Sequence, residues 1–138
     1  MSHRSPRRVG LAVILFALLA PLAASAAEWT EVGIDDDGNR YAIDESATRR
    51  EGGRVRLTVR AEYAKPQANT TIGETVLGAI DRLVVDCELG RFALESRVYR
   101  TVDLREVPAM ARSRDELVFL AAAPRSISAD IVGYACKP

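Results

Sequence analysis

Strict alternation of apolar and polar residues between positions 54 and 63 constrains the fold of this chain more than any other feature. The apolar positions are Val55, Leu57, Val59, Ala61 and Tyr63, and the polar positions between them are Arg54, Arg56, Thr58, Arg60 and Glu62. Because the side chains of a strand point alternately to its two faces, this pattern is typical of a half-buried strand in an antiparallel sheet. A helix would scatter the same apolar side chains around its circumference.

Several shorter segments predict the strands that pair with this one. The segments predicted to be strands are 28–35, 40–44, 79–88 and 91–99, with 101–107 extending or following the last of them. The first two flank Asp36-Asp37-Gly38-Asn39, whose residue types favour the backbone angles of a tight hairpin. Pro66 and Gly73 predict a loop over residues 64–75, and the apolar run 116–122 is compatible with either a helix or a strand.

The C-terminal segment has the period of a helix. Ser126 is a suitable N-cap after Pro124, and Ile127, Ile131 and Tyr134 recur at helical spacing. A short amphipathic helix there would lay its apolar side on the sheet. The expected fold class is therefore α+β, with a five- or six-stranded antiparallel sheet and one C-terminal helix.

The first 26 residues have the three parts of a secretory signal peptide. A basic start (Arg4, Arg7, Arg8) precedes the apolar run 11–23, and Ala24-Ser25-Ala26 supplies the small residues that a signal peptidase reads. An uncleaved membrane anchor is the alternative, but a spanning helix needs roughly 20 apolar residues. We therefore expect residues 1–26 to be removed, which leaves one exported domain, residues 27–138, in the periplasm or at the cell surface, with no transmembrane span.

Two cysteines remain in the expected domain, Cys87 and Cys136. An even number of cysteines in an exported domain favours one disulfide, and two free thiols are disfavoured in an oxidising compartment. A bridge closing a loop of about 50 residues contributes about 4 kcal/mol in the chain-entropy model. That is a large contribution for a domain with a modest core.

Charge and histidine content exclude several classes of function. Without Arg4, Arg7 and Arg8, the domain has 16 basic and 19 acidic residues, a net charge of −3, which argues against nucleic-acid binding. The sole histidine, His3, lies in the signal peptide. A domain without histidine has no Ser-His-Asp triad, no Cys-His pair and no His-ligated zinc. We expect no cofactor and no enzymatic activity.

Arginine side chains on the polar side of the alternating strand form the one candidate binding feature. Arg54, Arg56 and Arg60 would form a stripe for an acidic partner or a sulfated polysaccharide. The ordinary alternative is a solvated sheet face whose arginines are balanced by Glu62 and by acids on neighbouring strands.

Acidic residues suggest two further sites, and each has a simpler explanation. Asp35, Asp37 and Asn39 have the spacing that opens a calcium loop, but Arg40 and Ser46 occupy the positions where the loop needs glycine and glutamate. A hairpin turn explains the cluster without calcium.

Two carboxylate pairs are candidates for acid–base chemistry, namely Asp44 with Glu45 and Asp86 with Glu88. Adjacent strand residues point to opposite faces, which separates the first pair, and the second pair is expected on the outer face. We predict no metal ligand and no catalytic residue.

The order of these features resembles the bacterial surface-adhesin protein E-like family. The residues that carry the resemblance are Trp29, Tyr41, Asp44, Ser46, the pair Asp86-Cys87, Tyr99, Pro124, Ser126 and Cys136. The resemblance spans nearly all of residues 27–138. It implies an antiparallel sheet whose C-terminal helix is tied to it by a Cys87–Cys136 disulfide. It also implies an outer-surface adhesin that binds host matrix proteins such as vitronectin and laminin, with a homodimer as its oligomeric state.

Three hypotheses follow for the function. The leading one is an exported, adhesin-like binding module that engages protein partners. The second is a periplasmic structural or assembly protein of the envelope that is not exposed at the surface. The third is a hydrolase that uses carboxylates and no histidine.

Overall fold

The structure, a computed structural model, describes residues 26–138. The predicted signal peptide lies almost wholly outside the described residues. Within residues 26–138, no helix is long and apolar enough to cross a membrane, since the one α-helix has nine residues.

All strands of the described chain belong to one antiparallel sheet. Their bounds are Trp29–Ile34 (β1), Arg40–Asp44 (β2), Arg49–Glu51 (β3), Arg54–Asn69 (β4), Glu74–Asp86 (β5), Arg91–Thr101 (β6), Glu106–Ala111 (β7) and Leu120–Ala121 (β8). The sheet has eight strands, and its main order is β1-β2-β4-β5-β6-β7. The α+β class is confirmed.

The expected five or six strands were too few, because two neighbours of the long strands are interrupted. Both β2 and β3 pair with β4, and a 3-10 turn at Glu45–Ala47 separates them. In the same way β7 and β8 both pair with β6. The segment 116–122 is mostly irregular and contributes only the two-residue strand β8. The sheet is therefore six strands wide but is built from eight segments.

The predicted loop over 64–75 was wrong, because most of it belongs to the β4–β5 hairpin. β4 continues to Asn69 and β5 begins at Glu74. The register between them shifts between Glu62 and Gln67. Pro66 lies in this irregular stretch, where its missing N–H costs no ladder hydrogen bond, so the strand passes through the proline.

The α-helix, α1, spans Ile127–Ala135 and packs on one face of the sheet. Ser126 caps it as predicted, with its side chain accepting a hydrogen bond from the Ala129 N–H. Gly33 of β1 permits a close approach, since a Cβ at that position would lie 2.8 Å from Cδ1 of Ile127. We call this side of the sheet the helix face and the opposite side the open face.

The core between α1 and the sheet confirms the alternation of β4. Its buried side chains come from both layers and are Ile43, Val55, Leu57, Val59, Leu83, Val85, Ile131 and Ala135. Cys87 and Cys136 form the predicted disulfide at the C-terminal end of the helix. Arg50 donates a hydrogen bond of 2.6 Å to the carbonyl of Ala135 at the same end. The helix is thus held at its end by a covalent bond and by a cation on its final carbonyls.

Candidate binding face

The open face carries the arginines that the sequence singles out. Because Val55, Leu57 and Val59 are buried on the helix face, the intervening Arg54, Arg56 and Arg60 point to the other side. Arg56 and Arg60 are partly buried there and Arg54 is exposed. The three arginines therefore lie on one face of the strand, and their role in binding a partner stays a prediction.

Aromatic rings and one carboxylate hold these three guanidinium groups in place. The Arg54 guanidinium lies 5.0 Å from the ring centroid of Phe119, and that of Arg60 lies 4.5 Å from the ring of Trp29. Nη2 of Arg56 lies 3.2 Å from a carboxylate oxygen of Glu95. Trp29 therefore lies on the open face beneath an arginine, rather than in the core. Stacking on a ring fixes a guanidinium without neutralising its charge.

Two of these guanidinium groups have a buried Nε without an acceptor. Nε of Arg56 has no hydrogen-bond partner within the described residues, and Nε of Arg60 has none either. Arg60 Nε does lie 3.3 Å from a carboxylate oxygen of Glu62, but the two groups are not aligned for a hydrogen bond. Both Nε donors are thus buried and unsatisfied within the described residues.

A small hollow forms where β3 and β4 meet the segment that follows β7. It has a volume of about 80 Å³. The residues that line it are Arg49, Glu51, Arg54, Arg56, Val84, Arg114 and Leu117. We call it the first hollow. It brings four arginines from three segments of the chain around one small space.

A second hollow adjoins the first and shares Arg56 with it. The residues that line it are Arg56, Arg82, Glu95, Ser96, Ala111 and Arg112. Together the two hollows contain six arginines and two glutamates. This part of the open face is therefore strongly positive, although residues 27–138 as a whole have a net negative charge.

Sequence reasoning missed most of this cluster. Arg49, Arg82 and the pair Arg112 and Arg114 lie on three different segments, and no local spacing relates them to Arg56. The sequence held one partial signal. Side chains alternate between the two faces of a strand, so Arg82 was expected on the face opposite to its apolar neighbour Leu83. The pairing of Arg82 with Thr58 in the sheet is what places it beside the predicted stripe.

The calcium candidates form the turn between β1 and β2. Carboxylate oxygens of Asp35 accept hydrogen bonds from the backbone N–H groups of Asp37 and Asn39, from the Asn39 side chain and from the Tyr41 hydroxyl. Buried Asn39 also accepts from the Ala64 N–H and so ties the turn to β4. Burial raises the pKa of Tyr41 to about 12, and the bond to Asp35 adds to the increase. The Asp35 oxygens that calcium would need are already engaged. In residues 26–138, no three acidic, cysteine or histidine side chains are arranged to hold a metal ion.

One member of each candidate carboxylate pair is likewise engaged in local structure. Asp44 is buried and caps the 3-10 turn, accepting hydrogen bonds from the Ser46 N–H and hydroxyl and from the Glu28 N–H. Asp86 accepts from the Leu89 N–H in the β5–β6 turn. Hydrogen bonding of this kind stabilises the turns in which the two carboxylates lie.

These engaged carboxylates predict a loss of stability in acid. Burial raises the pKa values of Asp35 and Asp44, but hydrogen bonds outweigh it, chiefly those from the Asn39 and Ser46 side chains respectively, so both pKa values lie below the ordinary 3.8. A lowered pKa stabilises the folded state above the unfolded-state value, and that stability is lost as the pH falls through the folded-state pKa. We expect the free energy of unfolding to fall below about pH 4.

The double variant Asp35→Asn/Asp44→Asn tests this expectation by urea unfolding at pH 7 and near pH 3. It should be less stable than the unmodified protein at pH 7 and should lose less on acidification. Asp36→Asn, at an exposed position of the same turn, serves as the control. Equal acid sensitivity of all three proteins would contradict the assignment.

A disulfide-tied helix on one side of an antiparallel sheet and an arginine-rich face on the other define a small α+β domain. The chain matches the family described as surface-adhesin protein E over residues 29–137. It belongs to that family, as the order of its residues predicted. No curated protein matches the chain. Membership in an adhesin family favours an exported protein that binds other proteins and is not an enzyme, and the disulfide is consistent with an oxidising compartment.

Proposed function

We propose that this protein is a non-enzymatic surface adhesin that binds host extracellular matrix proteins, such as vitronectin or laminin, through the open face of its sheet. The observation that carries the proposal is the arginine-rich open face in a member of an adhesin family. Arg54, Arg56 and Arg60 form the centre of the proposed contact surface.

Exposed apolar side chains beside the arginines support a protein partner. Val118 and Leu120 are each 57% exposed, and they flank Phe119, which stacks with Arg54. Protein interfaces combine aromatic residues and arginine with apolar contacts in this way. The planar fork of arginine is also pre-organised, so less conformational freedom is lost for each hydrogen bond formed on binding.

Removing the arginine charges should weaken binding to an immobilised matrix protein. We expect the triple variant Arg54→Ser/Arg56→Ser/Arg60→Ser to bind about tenfold or more weakly, because hydrogen bonds to charged groups contribute roughly 1.5–3 kcal/mol each. Surface plasmon resonance on vitronectin and on laminin measures the loss. The double variant Arg125→Ser/Lys137→Ser, with both side chains exposed and outside the open face, should bind normally.

The outcome is interpretable only if the triple variant folds, so its urea midpoint is measured alongside. Arg54→Ser alone provides a second variant, because Arg54 is exposed and pairs only with the Phe119 ring in the described chain. Unchanged binding by both variants, or no binding by the unmodified protein, would refute this contact surface.

Surface exposure itself is tested by protease shaving of intact cells. The adhesin proposal predicts release of peptides from residues 27–138 while a periplasmic control protein stays protected. Full protection until the outer layer is opened would favour the periplasmic role.

Light scattering on the purified domain tests the homodimer that we propose alongside, and a monomer mass at micromolar concentration would exclude it.

A further inference from the structure

Of four arginines in the two hollows, three are positioned by neutral groups rather than by carboxylates. Arg49 donates hydrogen bonds to the carbonyls of Ser46 and Thr48, at 2.9 and 2.8 Å, and Arg112 donates to the carbonyl of Leu94 at 3.3 Å. Arg54 stacks on a ring, and Arg82 is exposed. None of the four has a carboxylate within 4.0 Å among the described residues. Three of the four guanidinium groups are thus held in place, and no carboxylate contacts any of the four.

An arginine on the helix face shows the contrast. Arg97 makes two hydrogen bonds to Asp81, at 2.7 and 2.6 Å. The bond to Asp81 raises the pKa of Arg97, and the guanidinium is neutralised as a structural ion pair. The hollows lack this arrangement, since Glu95 reaches only Arg56 and Glu51 approaches Arg114 only to 4.0 Å.

The first hollow has the size and donor arrangement of a site for a tetrahedral anion. About 10–15 Å³ holds one water molecule, so a space of about 80 Å³ admits a group of several heavy atoms. The arginines that line it supply forked donors for several oxygens at once, and a sulfate ester offers three terminal oxygens where a carboxylate offers two. The second hollow continues the positive charge on the other side of Arg56.

We infer that the two hollows bind consecutive sulfate groups of a sulfated polysaccharide. A linear polymer with repeated anionic groups fits two adjoining positive sites that share Arg56, and each sulfate would bind at least one guanidinium group that the fold already holds in place. The glycan is a second class of ligand for the open face, and its binding by the purified domain does not depend on a matrix-protein partner.

Isothermal titration calorimetry with a size-defined heparin oligosaccharide at physiological ionic strength tests the inference. The unmodified domain should bind heparin about tenfold or more tightly than desulfated heparin or polyglutamate. Arg49→Ser/Arg114→Ser, which removes charge from the first hollow only, should weaken heparin binding about tenfold. Arg125→Ser/Lys137→Ser removes the same charge elsewhere and should leave affinity within about twofold.

A second pair of substitutions distinguishes binding by oriented arginine donors from attraction by positive charge alone. It also provides a variant that is less disturbed than the serine variant. Arg49→Lys/Arg114→Lys keeps the charge but loses the forked donors, so its heparin affinity should lie between those of the unmodified domain and the serine variant. Affinity equal to that of the unmodified domain would overturn the inference, and so would equal losses in the serine variant and its control. Polyglutamate binding as tightly as heparin would identify an acidic peptide as the ligand instead.

The same proteins distinguish this inference from the proposed adhesin function. Heparin binding without matrix-protein binding would leave the inference intact and refute the proposed function. Matrix-protein binding without heparin binding would do the reverse.

Discussion

Reduction of the disulfide should lower the free energy of unfolding by about 4 kcal/mol. Cys87 and Cys136 lie 49 positions apart in sequence, so the bridge closes a long loop and removes much of the freedom of the unfolded chain. Domains are stable by only about 5–15 kcal/mol, so the bridge supplies a substantial part of the total. Urea unfolding with and without a reductant measures the difference.

The variant Cys87→Ser/Cys136→Ser should match the reduced protein and be insensitive to reductant. The denaturant dependence should also be steeper without the bridge, because the freed chain exposes more surface on unfolding. The remaining attachments of the helix, through Ile131, Ala135 and the Arg50 hydrogen bond, should keep the fold intact at low urea. Equal midpoints in oxidised and reduced protein would show that the bridge does not stabilise the domain.

Alanine at Gly78 should destabilise the domain by about 3 kcal/mol or more, at the upper end of the range for overpacking. A Cβ on Gly78 would lie 2.2 Å from the backbone oxygen of Ala61 and 3.3 Å from its carbonyl carbon. These are backbone atoms of the neighbouring central strand, so no side-chain rotation relieves the clash. β4 and β5 would have to separate where the β4 register shift begins.

Gly133→Ala is a control with the opposite expected sign. Gly133 lies inside α1 and is exposed, and a Cβ there would meet nothing within 4 Å. Alanine in a helix interior is favoured over glycine by roughly 0.5–1 kcal/mol, so this variant should be slightly more stable. Thermal or urea midpoints of both variants test these two expectations. A decrease of less than about 1 kcal/mol in the free energy of unfolding of Gly78→Ala would show that the sheet relaxes around the added methyl group.

The residues of the two sheet faces have different roles, one in stability and the other in the proposed binding. The helix face is closed by packing and by the disulfide, whereas the open face presents arginines oriented by carbonyls and rings. Because stability is concentrated on one side, substitutions on the open face should alter binding more than folding. Arg56, which pairs with Glu95 and borders both hollows, is the exception that we expect to affect both.

The sequence by itself determined the features that depend on local periodicity or on a single available partner. The alternation of β4, the N-cap at Ser126, the pairing of the two cysteines and the family were all predicted correctly. Each follows from residues close in sequence, from the absence of a competing cysteine, or from the order of features along the chain. The α+β class followed from the same elements, since the apolar face of a sheet must be buried against another element, here the C-terminal helix.

Only the tertiary structure decided how distant segments lie against one another. β4 passes through Pro66 because the register shift there leaves the proline without a required hydrogen bond. Trp29 lies under Arg60 on the open face, and four further arginines join the predicted stripe because strand pairing places their segments side by side. Register between strands depends on contacts across the whole sheet, so local residue patterns do not contain it.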